Sequence, residues 1–261
     1  MITFLKLGGS VITDKSGDSI ARRDTIRRIA AEITESRRAQ PAMRLILGHG
    51  SGSFGHTAAA KYGTRKGAFS PKDWQGAVEV WMAARELNSI VLETLAAEGL
   101  PAVAFPPSAT AISDNGKLIS MAIGPIQHAL DAGLLPVVYG DVVFDQQIGT
   151  SIASTEEVFT LLSGSIKPER LLLAGRAEGV YSLGSDPPEL IPEITPGLRS
   201  KLQFKPPEGD DVTGGMASKV DLCLELAKAH PGLEILIFSA DVPGELQKVL
   251  AGAQSGTKIR A

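Results

Sequence analysis

The sequence predicts an α/β fold built on parallel strands, and three observations carry that expectation. The length, 261 residues, suits one large α/β domain or two lobes sharing a sheet. Short apolar runs, among them Met43 to Leu47 and Leu134 to Tyr139, alternate with stretches of helical periodicity. The run from Leu134 to Tyr139 has no polar alternation, as expected of a parallel strand buried on both faces. Finally, glycine-rich turns follow two of the strands, where open α/β sheets bind their ligands.

The composition narrows the function classes. Hydrophobic residues make up 43% of the chain, enough for a sizeable core. A formal net charge of -3 gives no support to nucleic-acid binding. One cysteine, Cys223, allows no disulfide within the chain and suits a reducing compartment. No basic region followed by a long apolar stretch opens the sequence, so no signal peptide is expected. No apolar run approaches the roughly 20 residues of a membrane span. The expectation is a soluble, cytoplasmic protein without membrane or nucleic-acid partners.

Taken in order, residues 2 to 5 read as a first strand ending in Lys6-Leu7-Gly8-Gly9-Ser10. Backbone amides of paired glycines wrap oxygens and a lysine neutralises charge, so this is a phosphate cradle. It is not a Walker A loop, because the G-x-x-x-x-G-K-[ST] order is absent. Lys15, in the polar loop from Thr13 to Asp18, is a second cation for a transferring phosphoryl group. Asp24 reads as the cap of a helix whose Ile26, Ile29, Ala30 and Ile33 share one face, with an exit at Pro41.

The strand from Met43 to Leu47 feeds the loop around which the chain is organised: Gly48-His49-Gly50-Ser51-Gly52-Ser53-Phe54-Gly55-His56. Glycines at these positions let backbone N–H groups form a concave anion nest, and His56 adds a donor that titrates near neutrality. The competing reading is a plain flexible turn. A helix is expected to begin shortly after the loop, with its N-terminus near the same place. Residues 57 to 69, with Lys61, Arg65 and Lys66, suit a mobile flap.

Ser70-Pro71-Lys72-Asp73 marks a helix start that runs to about Glu98 and stops at Gly99. On it, Trp74, Ala77, Val78, Trp81 and Met82 form an apolar stripe, expected in the core or a dimer face, with the wall of an apolar substrate site just after His56 as the competing reading. A third strand follows over residues 100 to 105, and Asp114-Asn115-Gly116 signals a hairpin. A short helix is expected from Pro125 to Ala132. Gly140-Asp141 closes the strand from Leu134, and residues 149 to 153 lead into Ser154-Thr155-Glu156-Glu157. That tetrad matches a capping box for a helix over 155 to 164, which leaves open a second role for its glutamates: orienting nearby lysines or holding a metal.

Lys167-Pro168 reads as a boundary between an N-terminal lobe, residues 1–165, and a C-terminal lobe, residues 166–261. A strand from Arg170 to Ala174 leads to the turn Gly179-Val180-Tyr181. Residues 184 to 210 are rich in proline, glycine and charge and read as loops with one short helix. Asp211-Val212-Thr213-Gly214-Gly215-Met216 opens a helix to about His230 that carries Lys219 near its start. Glycine amides, the helix dipole and an ammonium then converge on an anion. Glu234 to Phe238, Pro243 to Leu250 and Thr257 to Arg260 complete the chain as strand, helix and strand. His49, His128 and His230 are assigned no chemistry.

Together these motifs resemble, in order and over nearly the whole chain, the amino acid kinase superfamily. Within it, the segment Gly50 to His56, ending Gly-Ser-Phe-Gly-His, is similar to the isopentenyl phosphate kinases. N-acetylglutamate, uridylate and carbamate kinases differ in this loop, whereas a small group of kinases acting on phosphonate antibiotics such as fosfomycin shares its ending. The resemblance implies an open αβα sandwich around a mainly parallel sheet, with the phosphate acceptor in the N-terminal lobe and ATP in the C-terminal one. It further implies ATP and Mg2+ as cofactors, isopentenyl phosphate as substrate and a homodimer.

Carried over residue by residue, the resemblance assigns Lys6, Lys15, His56 and Lys219 to catalysis. Lys6, Gly8, Gly9, Ser10, Ser51, Ala174, Gly179, Gly214, Gly215 and Lys219 go to the nucleotide. Gly50, Gly55, His56 and Thr155 go to the acceptor, and no residue is assigned to metal. Two departures stand out. Thr155-Glu156-Glu157 replaces the relatives' Gly-Asp-Asp, leaving open whether Asp141, Glu156 or Glu157 organises the lysines. Gly175-Arg176-Ala177-Glu178 replaces an aspartate pattern before Gly-Val-Tyr. The alternatives are a kinase of another small phosphate or phosphonate and, from a different class, a non-catalytic nucleotide-binding protein on the same scaffold.

Overall fold

The computed structural model describes residues 1–14, 19–183, 187–204 and 215–261, with the backbone only for residues 56, 57 and 60. Expectations that fall on Lys15 and on residues 184–186 and 205–214, Gly214 included, lie outside the described residues. So does the His56 side chain.

The N-terminal part runs β1 (Ile2–Leu7), α1 (Gly9–Ile12), β2 (Thr13–Asp14), β3 (Ile20–Ala21), α2 (Arg23–Ala39), β4 (Arg44–His49), α3 (Gly52–Tyr62) and α4 (Pro71–Ala97). It continues through β5 (Ala102–Ala104), α5 (Pro107–Thr110), β6 (Ala111–Asp114), β7 (Lys117–Met121), α6 (Ile123–Asp131), β8 (Leu135–Tyr139), β9 (Asp141–Asp145), β10 (Gly149–Ala153) and α7 (Thr155–Ile166). The remainder is β11 (Arg170–Gly175), β12 (Glu193–Ile194), α8 (Pro196–Arg199), α9 (Gly215–Ala229), β13 (Glu234–Ser239), α10 (Glu245–Leu250) and β14 (Thr257–Ile259).

An eight-stranded sheet has the order β12-β14-β13-β11-β1-β4-β8-β5, and β14 is its only antiparallel neighbour, against β13, among the described residues. Side chains alternate across such a sheet, and the two core clusters follow that alternation. Leu5, Leu7, Leu45, Leu47, Leu172 and Leu236 face α2, α4 and α10. Phe4, Ile46, Leu171, Leu173, Ile235 and Ile237 face α6, α7 and α9. The chain is therefore an αβα sandwich around a mainly parallel sheet, as expected. A four-stranded sheet, β10-β9-β6-β7, lies alongside, and Val142 of β9 packs with Ala59, Ala77 and Val80 of α3 and α4.

Several local expectations hold. The Ser70 side chain accepts from Asp73 N, Asp73 answers at Ser70 N, and Pro71 opens α4. Gly99, at φ +79°, lies just beyond the end of α4. Asn115 and Gly116 turn the β6–β7 hairpin with φ of 48° and 79°, the left-handed pair that a tight hairpin requires.

Others are corrected. Asp24 lies inside the first turn of α2; Arg22 occupies the cap position, with no side-chain cap bond. The central loop is shorter than its sequence suggests, since α3 begins at Gly52 and includes Gly55 and His56. The segment expected as a flap is helix to Tyr62, followed by a 3-10 turn over Thr64–Lys66. Small residues such as Ala58 and Ala59 sustain a helix there, which glycine content alone obscures. Residues 149 to 153 form strand β10, paired antiparallel to β9, rather than a simple lead-in to α7. The stripe on α4 divides: Ala77 is buried, whereas Val78 and Met82 remain 54% and 53% exposed.

Candidate active site

Alternation along β1 decides where Lys6 goes. Its neighbours Leu5 and Leu7 enter the cluster under α2 and α4, so Lys6 projects to the opposite face, where α7 and α9 pack. It stands near the carboxyl end of β1, between β11 and β4. There it forms an ion pair with Glu156, both side chains being almost fully buried.

Glu156 is available because its neighbour is not. Ser154 caps α7 by accepting from Glu157 N at 3.2 Å, and the Glu157 carboxylate accepts from Ser154 N at 2.7 Å. The capping box occupies Glu157 and leaves Glu156 to face the sheet. Asp141, the third carboxylate in question, accepts from the backbone amides of Ser108 and Val142 at 3.0 and 2.9 Å. Among the three, Glu156 is the one paired with Lys6.

Electrostatics at the pair are those of two cations around one anion. Burial lowers the Lys6 pKa and Lys219 lowers it further, against the opposing pull of Glu156. Burial alone would raise the Glu156 carboxyl, but the ammoniums of Lys6 and Lys219 hold it below the usual carboxylate range. One Glu156 oxygen, Oε2, is buried and has no hydrogen-bond partner among the described residues.

Above the pair, the two glycine turns close on each other backbone to backbone. A Cβ on Gly9 would stand 2.5 Å from Gly52 N and 2.6 Å from its Cα, and one on Gly50 would stand 3.0 Å from Gly9 N. Only glycine permits that approach. Thr13 joins the turns: its hydroxyl donates to Gly9 O at 2.9 Å and accepts from Ser53 N at 3.1 Å. Gly8 N donates to Ala174 O and Gly50 N to Leu7 O, so the turns also hang from the strand ends. Behind them His49 is buried, stacked on Tyr139, with ring nitrogens 3.1 Å from Gly50 O and 3.2 Å from Asn88 Oδ1. Burial, and then Lys6, lower its pKa and favour the neutral ring.

These residues enclose a cavity of about 530 Å³. Of the residues singled out from sequence, Lys6, Gly8, Gly9, Ser10, Gly50, Ser51, Gly55, Thr155, Ala174 and Lys219 line it together. The starts of α3, α7 and α9 contribute Gly52, Glu156 and Met216 to the same wall, so three helix N-termini meet there. Their partial positive charge, with the ammoniums of Lys6 and Lys219, is of the kind that attracts an anion. Gly179 lies outside the lining, pressed against Thr257 and Leu190, where a Cβ would stand 2.6 Å from the Thr257 hydroxyl. Gly215 opens α9 at φ +69° and does not line the cavity. Thr155 commits its hydroxyl proton to His49 O at 2.7 Å.

The lining also contains Thr13, to which local pattern assigns no role, Arg65, noticed only as a basic residue of the expected flap, and Arg176, noticed only as a departure. Thr13 acts across forty positions of sequence, and no local signal reveals such a contact.

The amino acid kinase family model matches residues 1–239. The chain belongs to the amino acid kinase family. An isopentenyl phosphate kinase of Methanothermobacter thermautotrophicus is 35% identical, with 98% of this chain and 97% of the relative covered. The isopentenyl phosphate kinase of Haloferax volcanii is 32% identical over 99% and 98% of the two chains. A solved isopentenyl phosphate kinase structure superposes with a TM-score of 0.84 at 33% identity, covering 99% of this chain and all of that one. Carbamate kinase from Giardia lamblia, at 16% identity and a TM-score of 0.72, shares the fold.

Proposed function

We propose that this chain transfers the γ-phosphoryl group of ATP to isopentenyl phosphate, giving isopentenyl diphosphate and ADP. The reading rests on one observation: a buried Lys6–Glu156 pair under two opposed glycine turns, in a chain whose full-length relatives are isopentenyl phosphate kinases.

The attacking oxygen of a phosphate monoester is already anionic near neutrality, so little proton chemistry is needed. The barrier lies in bringing two anions together and spreading charge on the transferring group. In this mechanism Lys6, Lys15 and Lys219 neutralise that charge, while Glu156 keeps Lys6 aimed along the line of attack. Gly8, Gly9, Ser10, Ser51 and Ala174 serve the nucleotide, and Gly50, Gly55, His56 and Thr155 serve the acceptor phosphate. An oxygen of the acceptor bonds to the γ-phosphorus as the β–γ bridging P–O bond breaks and ADP departs. Val80, Ala84, Ala59 and Ile152 give the cavity an apolar wall suited to a short branched tail.

Among the described residues no group of three or more His, Cys, Asp or Glu side chains is placed to hold a metal. A magnesium ion would enter on the nucleotide's own phosphates, as Mg2+ commonly does, and neutralise charge there. The division of labour we propose puts the acceptor and dimer contacts in residues 1–165 and the nucleotide in residues 166–261. A homodimer is supported by the apolar residues exposed on α4. A cytoplasmic setting accords with an ATP-consuming reaction on a small phosphate; no described helix is long and apolar enough to cross a membrane.

An ADP-release assay with ATP, magnesium and a panel of acceptors tests the reading. Turnover is expected on isopentenyl phosphate or its dimethylallyl isomer, and not on fosfomycin, N-acetylglutamate, uridylate or carbamate. Turnover confined to one of the latter four overturns the acceptor and keeps the phosphoryl-transfer chemistry.

A further inference from the structure

Arg176 lines the cavity, yet none of the roles above uses it. It follows β11, one residue beyond the strand's end, on the side where Ala174 and Lys219 stand. Its backbone is tied down: Ser239 Oγ donates to Arg176 O at 3.0 Å and accepts from Asp241 N at 3.2 Å. One edge of its guanidinium is tied down too, since Nε donates to Asp241 Oδ2 at 2.9 Å.

The carboxylate that holds it is shared. Arg22 Nη1 donates to Asp241 Oδ1 at 2.9 Å and to the carbonyl of Val11 at 3.0 Å. Val11 belongs to α1, the helix that Gly9 opens, so Arg176 is linked through Asp241 and Arg22 to the glycine turn itself. Two guanidiniums on one carboxylate leave a net positive charge at the cavity rim. Among the described residues, neither Nη1 nor Nη2 of Arg176 has a hydrogen-bond partner. What remains is the two-nitrogen end of a planar fork, the geometry that matches phosphate oxygens.

We propose that Arg176 grips the polyphosphate of the nucleoside triphosphate donor, with Asp241 as the residue that positions its fork. The proposal rests on the phosphoryl-transfer reading only through the donor, and not through the identity of the acceptor.

Calorimetric titration of the full chain with ADP and, separately, with adenosine tests it. Arg176→Ala is expected to weaken ADP about tenfold, as loss of a charge-assisted phosphate contact does, and to leave adenosine unchanged. Arg176→Lys keeps the charge but not the fork and recovers part of the loss. Asp241→Asn lets the fork turn and gives an intermediate loss for ADP only. Unchanged ADP affinity in Arg176→Ala overturns the proposal, as does an equal loss for adenosine, which would mean contact with the nucleoside. If the alanine variant binds neither ligand, Arg176→Lys decides: weakened ADP with adenosine intact supports the grip, and no change overturns it. Wild-type protein that binds ADP yet leaves isopentenyl phosphate unphosphorylated overturns the acceptor reading alone. Wild-type protein that binds neither ligand overturns both.

Discussion

At the scale of single residues, the site turns on which glutamate is free. Ser154 and Glu157 satisfy each other at the start of α7, so Glu156 faces Lys6. Glu156→Gln keeps the shape but removes the anion that aims Lys6 and offsets two ammoniums. Turnover is expected to fall by about 10²-fold, in the range seen when a preorganised charge contact is lost. Steady-state kinetics would check it, and Glu156→Asp should restore part of the rate. The pH dependence follows from the shifts. Glu156 has its folded pKa below the usual 4.5, so its contribution to stability is present above pH 4.5 and is lost as pH falls through the lower folded value. Acid unfolding of the wild type and Glu156→Gln should therefore converge at low pH. Lys6 has its pKa below 10.5, so the alkaline limb of kcat/KM is expected below that pH, where the free enzyme loses this charge.

At the scale of elements, the two glycine turns act as one unit although some forty residues separate them. Gly9→Ala would drive a methyl group into the backbone of Gly52, which has no flexible end to yield. The turns must part, with a cost of about 1–3 kcal/mol and a weaker phosphate site. Gly164, near the end of α7, is the control: nothing lies within 4 Å of an added Cβ. Gly164→Ala is expected to stabilise by about 0.5–1 kcal/mol, because alanine loses less backbone entropy in a helix. Denaturant melts of both variants, with the KM for ATP, separate the two effects. An equal loss of stability in both would show that the approach of the turns is not what requires glycine. Local pattern made much of this scale legible. The Ser70 and Ser154 caps, the Asn115-Gly116 turn and the inward face of α2 are encoded by short-range rules. The start of α3 was legible only in part: a helix is expected just after the loop, but glycines at 52 and 55 disguise its first turn, which lies within the loop itself.

At the scale of the whole molecule, an open groove of about 960 Å³ runs along α3 and α4, and its wall has neither glycine turns nor the buried lysine. It borders Val78 and Met82, which stay exposed on α4, near the exposed ring pair Trp74 and Phe144. If this face joins two copies, Val78→Glu with Met82→Glu should convert a dimer to a monomer in sedimentation. An unchanged mass would move the interface elsewhere. The sequence by itself determined the fold class, the parallel core strands, the Ser70 and Ser154 helix caps and the two glycine turns. These follow from short-range patterns: apolar runs, capping residues and glycine placement. Tertiary structure alone decided that Glu156 pairs with Lys6, that Thr13 joins the turns, that Gly179 stands outside the cavity and that Arg176 stands at its rim. The physical reason is that each of these contacts joins strands and helices distant in sequence. Sheet order and the alternation of side chains across it set which distant residues meet, and no local pattern carries that information.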